Sequence, residues 1–315
     1  MSAEAHLEFV CFGGVASVHV RGADEEQGRR LAERGRELLL DAHQRLSRFE
    51  PGSELSRLNR DPRPEVPASP LLRRLVAAVL TAGSRSGGLV DATLLDAIER
   101  AGYRSSLKTA EVRPLTRAEL ATQDQAPARP SVTAEWCSVR VDAAAGTVIR
   151  PPGVRIDGGG IAKGLLADLV GDELAGAETF AVECCGDIKL GGTSGLRRRI
   201  RVDDPFGIEP LHEFEISAGA VATSGITRRS WGEGGVALAH QILDPASGRP
   251  AFTGIVQATA LAPTALEAEI LAKSALLSGP EGAKDWLPFG GVLVPVEGEA
   301  EVIAGAESVA EAVAE

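Results

Sequence analysis

Residues 155–168 read RIDGGGIAKGLLAD, and residues 181–189 read AVECCGDIK. A glycine run opening a lysine-bearing helix, then a second glycine turn ending in an aspartate, predicts a loop-to-helix anion site beside a short polar turn, the arrangement with which a protein grips a pyrophosphate. Just upstream, WCSVRVDAAAGTVIR (136–150) alternates apolar and polar residues about a glycine and predicts a hairpin leading into the run. Downstream, strands are expected at 179–190, 197–203 and 212–223. Near the start, LEFVCFGGVASVHV (7–20) predicts two strands about Gly13–Gly14. Leu31, Leu38, Ala42 and Leu46 then recur at helical spacing between Glu25 and Ser47. LSRFEPGSELSRLNRD (46–61) carries Pro51–Gly52 and reads as a turn. Ser69–Pro70 predicts an N-cap and first-turn proline, with Leu71, Leu72, Leu75, Val76 and Val79 on one helix face. Residues 104–135, interrupted by Pro114, Pro127 and Pro130, read as a surface excursion, and AESVAEAVAE (306–315) as a small peripheral helix. Hairpins mixed with helices, without regular strand–helix alternation, indicate an α+β class. One domain over residues 1–315 is expected.

Composition narrows the function classes. With 315 residues, 44% hydrophobic and 24% charged, the chain can bury one large core or two smaller ones. A net charge of -11 argues against a nucleic-acid binder, which needs a lysine and arginine surplus to displace counterions. The opening MSAEAHLEFVCFGG lacks the basic start and apolar core of a secretion signal, and no run of about 18 apolar residues occurs. A cytoplasmic protein without membrane insertion is the expectation. Cys11, Cys137, Cys184 and Cys185 show no CxxC spacing, so reduced thiols are expected rather than zinc ligands.

Two familiar nucleotide motifs fail. A Walker loop ends in Gly-Lys-Ser/Thr, whereas Lys163 here precedes Gly164 and a leucine follows. Gly158-Gly159-Gly160 lacks the third glycine of the Rossmann spacing. Taken alone, the run is equally a tight turn before a helix.

Five segments in fixed order add specificity: LSRFEPGSELSRLN (46–59), GGLVDATLLDA (87–97), IDGGGIAKG (156–164), ECCGDI (183–188) with VATSG (221–225), and HQILDPASGRP (240–250), followed by a helix beginning APTALEAE. Together they resemble the ApbE family of FAD:protein FMN transferases, which split FAD and attach FMN through a phosphoester to a threonine or serine of a target flavoprotein. The resemblance spans nearly the whole chain. It implies two similar subdomains of antiparallel strands with packed helices, related to the tunnelling fold, with FAD in the cleft between them.

Position by position, the resemblance implies a pyrophosphate and metal region around Gly159, Gly160 and Lys163, with the Ala162 carbonyl as a magnesium ligand. A carbonyl oxygen suits that hard cation. Asp157 is a candidate second-sphere or catalytic residue, or else the cap of the following turn. Lys163 is a candidate phosphate partner, or else a solvated helix lysine. Asp91 and Thr93 match a D-x-T segment expected to line the FAD site, and Glu54 and Asn59 lie in the other N-terminal segment facing it. Thr223 and Ser224 form a hydroxyl-bearing turn able to contact phosphate or ribose. His240 is a candidate base for the acceptor hydroxyl, although a satisfied core or edge histidine also explains it.

Two departures stand out. The family's remaining metal ligands, an aspartate and a threonine four residues later, fall on Glu269 and Lys273. An ammonium cannot coordinate a cation, so the pair is either an exposed i,i+4 ion pair worth about 0.2–0.5 kcal/mol or a site with weakened or rearranged magnesium dependence. Thr264 with Glu267 reads as a capping box that fixes the helix register. In ECCGDI, Glu183 and Cys185 replace an asparagine and the first glycine, while Gly186 and Asp187 match. Cys184 and Cys185 admit a redox role, though inert buried cysteine explains them too. The altered segments leave two alternatives to transfer: a pyrophosphatase giving FMN and AMP, and a catalytically inactive FAD carrier or sensor.

Overall fold

The front hairpin forms as the Gly13–Gly14 pair implies: β1 (Ala5–Cys11) and β2 (Gly14–Arg21) pair antiparallel, with Cys11 opposite Gly14. A computed structural model describes residues 3–106, 113–231, 238–306 and 308–314. Helix α1 (Glu25–Leu46) follows, its first turn capped by Asp24, which accepts from the Gln27 amide. Its buried stripe is Gly28, Ala32, Gly35, Leu39, Ala42 and Leu46, one position beyond the predicted Leu31 and Leu38. Small residues face inward because the helix lies close on the sheet and on a neighbouring helix: a Cβ at Gly35 would stand 3.2 Å from Val18 of β2 and 3.0 Å from Val170. The stretch expected to be a turn holds a further helix, α2 (Glu54–Arg60), started by the Ser53 hydroxyl accepting from the Ser56 amide.

Next come β3 (Glu65–Pro67), α3 (Pro70–Arg85) with the expected Ser69 cap, and α4 (Leu95–Arg100). Part of the stretch read as a surface excursion, residues 107–112, lies outside the described residues. Beyond it, α5 (Arg117–Ala121) has a full Thr116/Glu119 capping box, and Leu115, Leu120 and Ala128 are buried in the main core. The hairpin predicted at 136–150 is β4 (Arg140–Asp142) with β5 (Thr147–Ile149), joined by β3 in a three-stranded sheet.

The glycine run leads into α6 (Ala162–Glu173), then β6 (Thr179–Cys184), β7 (Asp187–Gly191) and β8 (Arg198–Asp203). The single strand expected at 212–223 is two, β9 (Pro210–Ile216) and β10 (Gly219–Gly225), because β9 pairs with β8 while β10 joins the main sheet. Short pairs β11 (Ser230–Trp231) with β12 (Ala239–His240), and β13 (Leu243–Asp244) with β14 (Arg249–Pro250), precede β15 (Ile255–Ala262). Every residue of β15 is buried, since it is covered on both faces. Helix α7 (Ala265–Gly282), kinked where Gly279 takes φ 70° before Pro280, packs on one face. On the other, Val221 and Leu261 meet Val309 and the apolar side of the β8–β9 hairpin. Strands β16 (Gly290–Pro295) and β17 (Glu301–Ala304) and the short α8 (Val309–Ala314) complete the chain.

Among the described residues the main sheet has eight strands in the order β1-β2-β6-β7-β10-β15-β16-β17. The fold is α+β. Two four-strand quartets lie edge to edge, each with helix inserted between its second and third strand: α1 through α6 in one, α7 in the other. The β7–β10 ladder joins them, with Asp187 opposite Ala222 at its end.

Candidate active site

Four ionisable side chains meet where α6, β7 and α7 converge. Lys163, in the first turn of α6, forms an ion pair with Asp187 at the start of β7 and lies 3.4 Å from Glu269 Oε1. Lys273, one turn beyond Glu269 on α7, is 3.6 Å from that same oxygen and donates to the Gly160 carbonyl at 2.6 Å. Glu269 Oε2 accepts from the Gly164 amide at 3.0 Å. Each quartet thus contributes one lysine and one carboxylate. The side chains of Lys163 and Lys273 are only 17% and 14% exposed, which excludes both the solvated lysine and the exposed ion pair.

Burial and charge compete here. Burial pushes the Asp187 carboxyl up to about 7, against the pull of Lys163. Burial alone would also raise Glu269 and lower Lys163, but the surrounding opposite charges outweigh it, so Glu269 is held below and Lys163 above its ordinary value. For Lys273 burial wins and the shift is downward.

The local sequence explains how helices from different halves come so close. A Cβ at Gly164 would stand 2.4 Å from the Ala265 carbonyl. Asp168, on α6, accepts from the Ala265 and Leu266 amides at 2.7 and 2.9 Å and so caps α7 across the interface. At Thr264 only half of the expected capping box forms, because the Glu267 carboxylate turns to Arg85. The glycine run serves close approach rather than unusual backbone, since none of Gly158, Gly159 and Gly160 has positive φ. A Cβ at Gly158 would strike Leu75 at 2.9 Å, and one at Gly160 would stand 3.2 Å from Lys273 Nζ. The helix start is not the open anion cradle the sequence suggested: the Ile161 and Ala162 amides bond the Gly158 carbonyl, and Glu269 takes Gly164.

Beside the cluster is a cavity of about 90 Å³ whose wall includes Asp91, Asp157, Gly160, Gln241, Ile242 and Lys273. Lys273 is the only lysine or arginine on that wall among the described residues. The volume suits a phosphate-sized group rather than a whole dinucleotide, for which pockets of about 300 Å³ or more are usual. A larger, open hollow of about 600 Å³ lies between Glu4, Arg21 and the β8–β9 hairpin, and it contains none of the residues the sequence singled out.

The other expected site residues divide into wall and support. Asp91 lines the cavity and accepts from the Thr93 amide, while Thr93 closes that turn with its hydroxyl. Asp157 accepts from the Gly159 amide at 2.8 Å and pairs with Arg48 at 3.3 Å. Arg48, which the sequence did not flag, stacks on Phe49 and Tyr103 and donates to the Tyr103 carbonyl. Asn59 is a support: its amide exchanges two 2.8 Å hydrogen bonds with the Ile156 backbone. Arg150, also unflagged and 1% exposed, donates to the Leu58, Asp61 and Val154 carbonyls, tying α2 to the same loop segment.

Three expectations need correcting. Glu54 pairs with Arg45 at 2.6 Å, which also bonds Ser69, so it joins α1, α2 and α3 rather than facing the cavity. Thr223 and Ser224 form no turn: both lie within β10, where Thr223 bonds the Thr259 hydroxyl across the ladder at 2.9 Å. His240 is wholly buried, its Nδ1 accepting from the Ile242 amide and its ring edge-on to Phe252, and burial lowers its pKa to about 3. It stands behind the Gln241–Ile242 wall as a neutral imidazole, not facing the cavity. Gly186, with φ 96°, and Cys185, with φ 55°, form the tight β6–β7 turn that delivers Asp187.

Residues 12–292 match the model of the ApbE family. The chain belongs to the ApbE family. The FAD:protein FMN transferase of Vibrio cholerae serotype O1 is 29% identical over 252 residues, covering 78% of this chain and 72% of its own length. The crystal structure of the ApbE protein from Thermotoga maritima superposes with a TM-score of 0.78 at 25% identity, over 96% of this chain and 97% of that one. The apo flavinyl transferase ApbE of Pseudomonas stutzeri shares the fold, with a TM-score of 0.74 at 21% identity over 96% and 94% of the two chains.

The ApbE resemblance implies magnesium, and the donor set here does not fit it. Asp187 and Glu269 each already face an ammonium, and Lys273 stands where the resemblance implies a hydroxyl ligand. Magnesium favours near-octahedral oxygen ligation. Among the described residues no group of three or more histidine, cysteine, aspartate or glutamate side chains could hold a metal ion, and no helix is long and apolar enough to cross a membrane.

Proposed function

We propose that this chain is an FAD:protein FMN transferase. The observation that carries the proposal is the convergence, in an ApbE-family chain, of the glycine run, the CCGDIK turn and the helix after APT on one cluster of two lysines and two carboxylates beside a phosphate-sized cavity. In this reading the cavity receives the pyrophosphate of FAD, and the flavin and adenosine extend beyond it.

The hydroxyl oxygen of an acceptor threonine or serine attacks the phosphorus on the FMN side. A phosphoester bond to the acceptor forms, the bond from that phosphorus to the bridging oxygen breaks, and AMP leaves with the oxygen and its electron pair. Positioning and fixed positive charge dominate such transfers. The acceptor proton passes to Asp157, favoured over His240 because its carboxylate is on the cavity wall while the imidazole is sealed behind it. Lys163, held by Asp187 and Glu269, fixes the geometry of the α6 start. The whole chain is proposed as the working unit. A cytoplasmic setting belongs to the same proposal, supported by four free cysteines.

Incubating the protein with FAD and a flavoprotein fragment bearing an acceptor threonine tests this. AMP release with an FMN-sized mass increase on the fragment is the expected result. Free FMN and AMP without labelling would make it a pyrophosphatase, and bound, intact FAD would make it a carrier.

A further inference from the structure

We infer that Lys273 is the resident cation of this site, its ammonium standing in the place of a divalent metal and neutralising phosphate charge in the cavity. The inference rests on the FAD reading above and deepens it. Its first support is placement. Lys273 is aimed and held: its Nζ donates to the Gly160 carbonyl at 2.6 Å and faces Glu269 Oε1 at 3.6 Å, and glycine at position 160 leaves the space it fills. A compact ammonium has three donors, so contacts to Gly160 and Glu269 leave one for a phosphate oxygen.

A second support is that, among the described residues, no other lysine or arginine lines the cavity. The described wall carries two carboxylates, Asp91 and Asp157. Lys163 is engaged by Asp187, and the Gly164 amide at the start of α6 is taken by Glu269. Without Lys273, an anionic pyrophosphate would meet on the described wall only Asp91 and an Asp157 whose charge is already taken up by Arg48.

The third support is charge balance. Lys163 and Lys273 already lie 3.4 and 3.6 Å from the one Glu269 oxygen that a metal would have to share. A dication seated there would face two ammonium groups in a buried setting, where like charges repel strongly. Two oxygens fit a metal on first inspection, Asp187 Oδ1 and Glu269 Oε1, both buried without a hydrogen-bond partner, but each carboxylate is already faced by an ammonium: Lys163 pairs with Asp187, and Lys163 and Lys273 flank that Glu269 oxygen.

Calorimetric titration of FAD into the intact protein, in EDTA and in excess magnesium chloride, tests the inference. The wild-type protein is expected to bind FAD with the same affinity in both. Lys273→Met is expected to bind roughly tenfold to a hundredfold more weakly in both, the loss of one charge-assisted hydrogen bond. Lys273→Thr, which restores an oxygen ligand, is expected to weaken in EDTA and recover with magnesium. Electron paramagnetic resonance of added manganese without FAD reads the site directly: no uptake by the wild type, uptake by Lys273→Thr. Wild-type protein that binds FAD only with magnesium, or that takes up manganese stoichiometrically, overturns the inference while leaving the transferase reading intact. Wild-type protein that binds FAD in neither buffer overturns both.

Discussion

Replacing Asn59 by alanine separates a residue that holds the glycine run from one that touches the ligand. The side chain exchanges two 2.8 Å hydrogen bonds with the backbone of Ile156, which is 1% exposed and immediately precedes Asp157. Truncation deletes both bonds and strands a buried amide, so the cost is about 2–4 kcal/mol from a net contribution near 1 kcal/mol per bond plus the desolvation penalty of the unpaired group. At about 2–4 °C per kcal/mol for chains of this general size, the melting temperature should fall by about 4–16 °C. FAD affinity should fall with it, because Asp157 and Gly160 are carried by the displaced segment. Differential scanning fluorimetry with and without FAD measures both. Asn59→Asp should be partly restored at low pH, where the protonated carboxyl can again donate to the Ile156 carbonyl, and should worsen as the pH rises. An unchanged melting temperature combined with lost FAD binding would refute the supporting role.

Stability should depend on pH through two buried groups of opposite sign. Asp187 is raised to about 7, so the native state keeps a proton the unfolded chain releases, and stability falls as pH rises from about 4 to about 7. His240 is lowered to about 3, so the native state lacks a proton the unfolded chain takes up, and stability falls as pH drops from about 6.5 to about 3. Each has a limiting slope of about 1.4 kcal/mol per pH unit. Relative to wild type, Asp187→Asn should therefore melt increasingly well as pH goes from 4.5 to 6.5, and His240→Gln increasingly badly; parallel melting curves would contradict the assigned shifts. Asp157→Asn should slow transfer about 10²–10⁴-fold while FAD still binds, and retained transfer in that variant alongside loss in His240→Gln would return the proton to the imidazole. Cys185→Gly should stabilise the β6–β7 turn by about 0.5–1 kcal/mol, because φ 55° costs a side-chain-bearing residue more than glycine loses in chain entropy; a lower urea midpoint would show that the Cys185 thiol's 3.1 Å contact with the Cys11 carbonyl matters more.

What the sequence made legible was local or motif-borne. The Ser69 cap, the Gly13–Gly14 hairpin and the 136–150 hairpin follow from turn and cap chemistry that acts within a few residues. Motif order places Lys163, Asp187, Glu269 and Lys273 in one region, and the Glu269/Lys273 departure is legible in the sequence alone. Long-range partners were not legible. Arg48, Arg150 and Asp168 act on groups that tertiary folding brings to them: Asp157, the carbonyl of Leu58, and the amides of Ala265 and Leu266. Glu54 and Thr223 sit in segments that match the family yet serve packing, since a motif fixes the neighbourhood of a side chain and not its direction.

The β7–β10 ladder is the only pairing within the main sheet that links its two quartets among the described residues, and the four charged side chains are drawn two from each side of it. Severing the chain in the connection between β8 and β9, where Ile208 is fully exposed, would leave Lys163 with Asp187 on one fragment and Glu269 with Lys273 on the other. Neither fragment could assemble the centre unaided. Recovered turnover after mixing them would report edge-to-edge reassociation, so the enzyme can serve as a split reporter of its own docking.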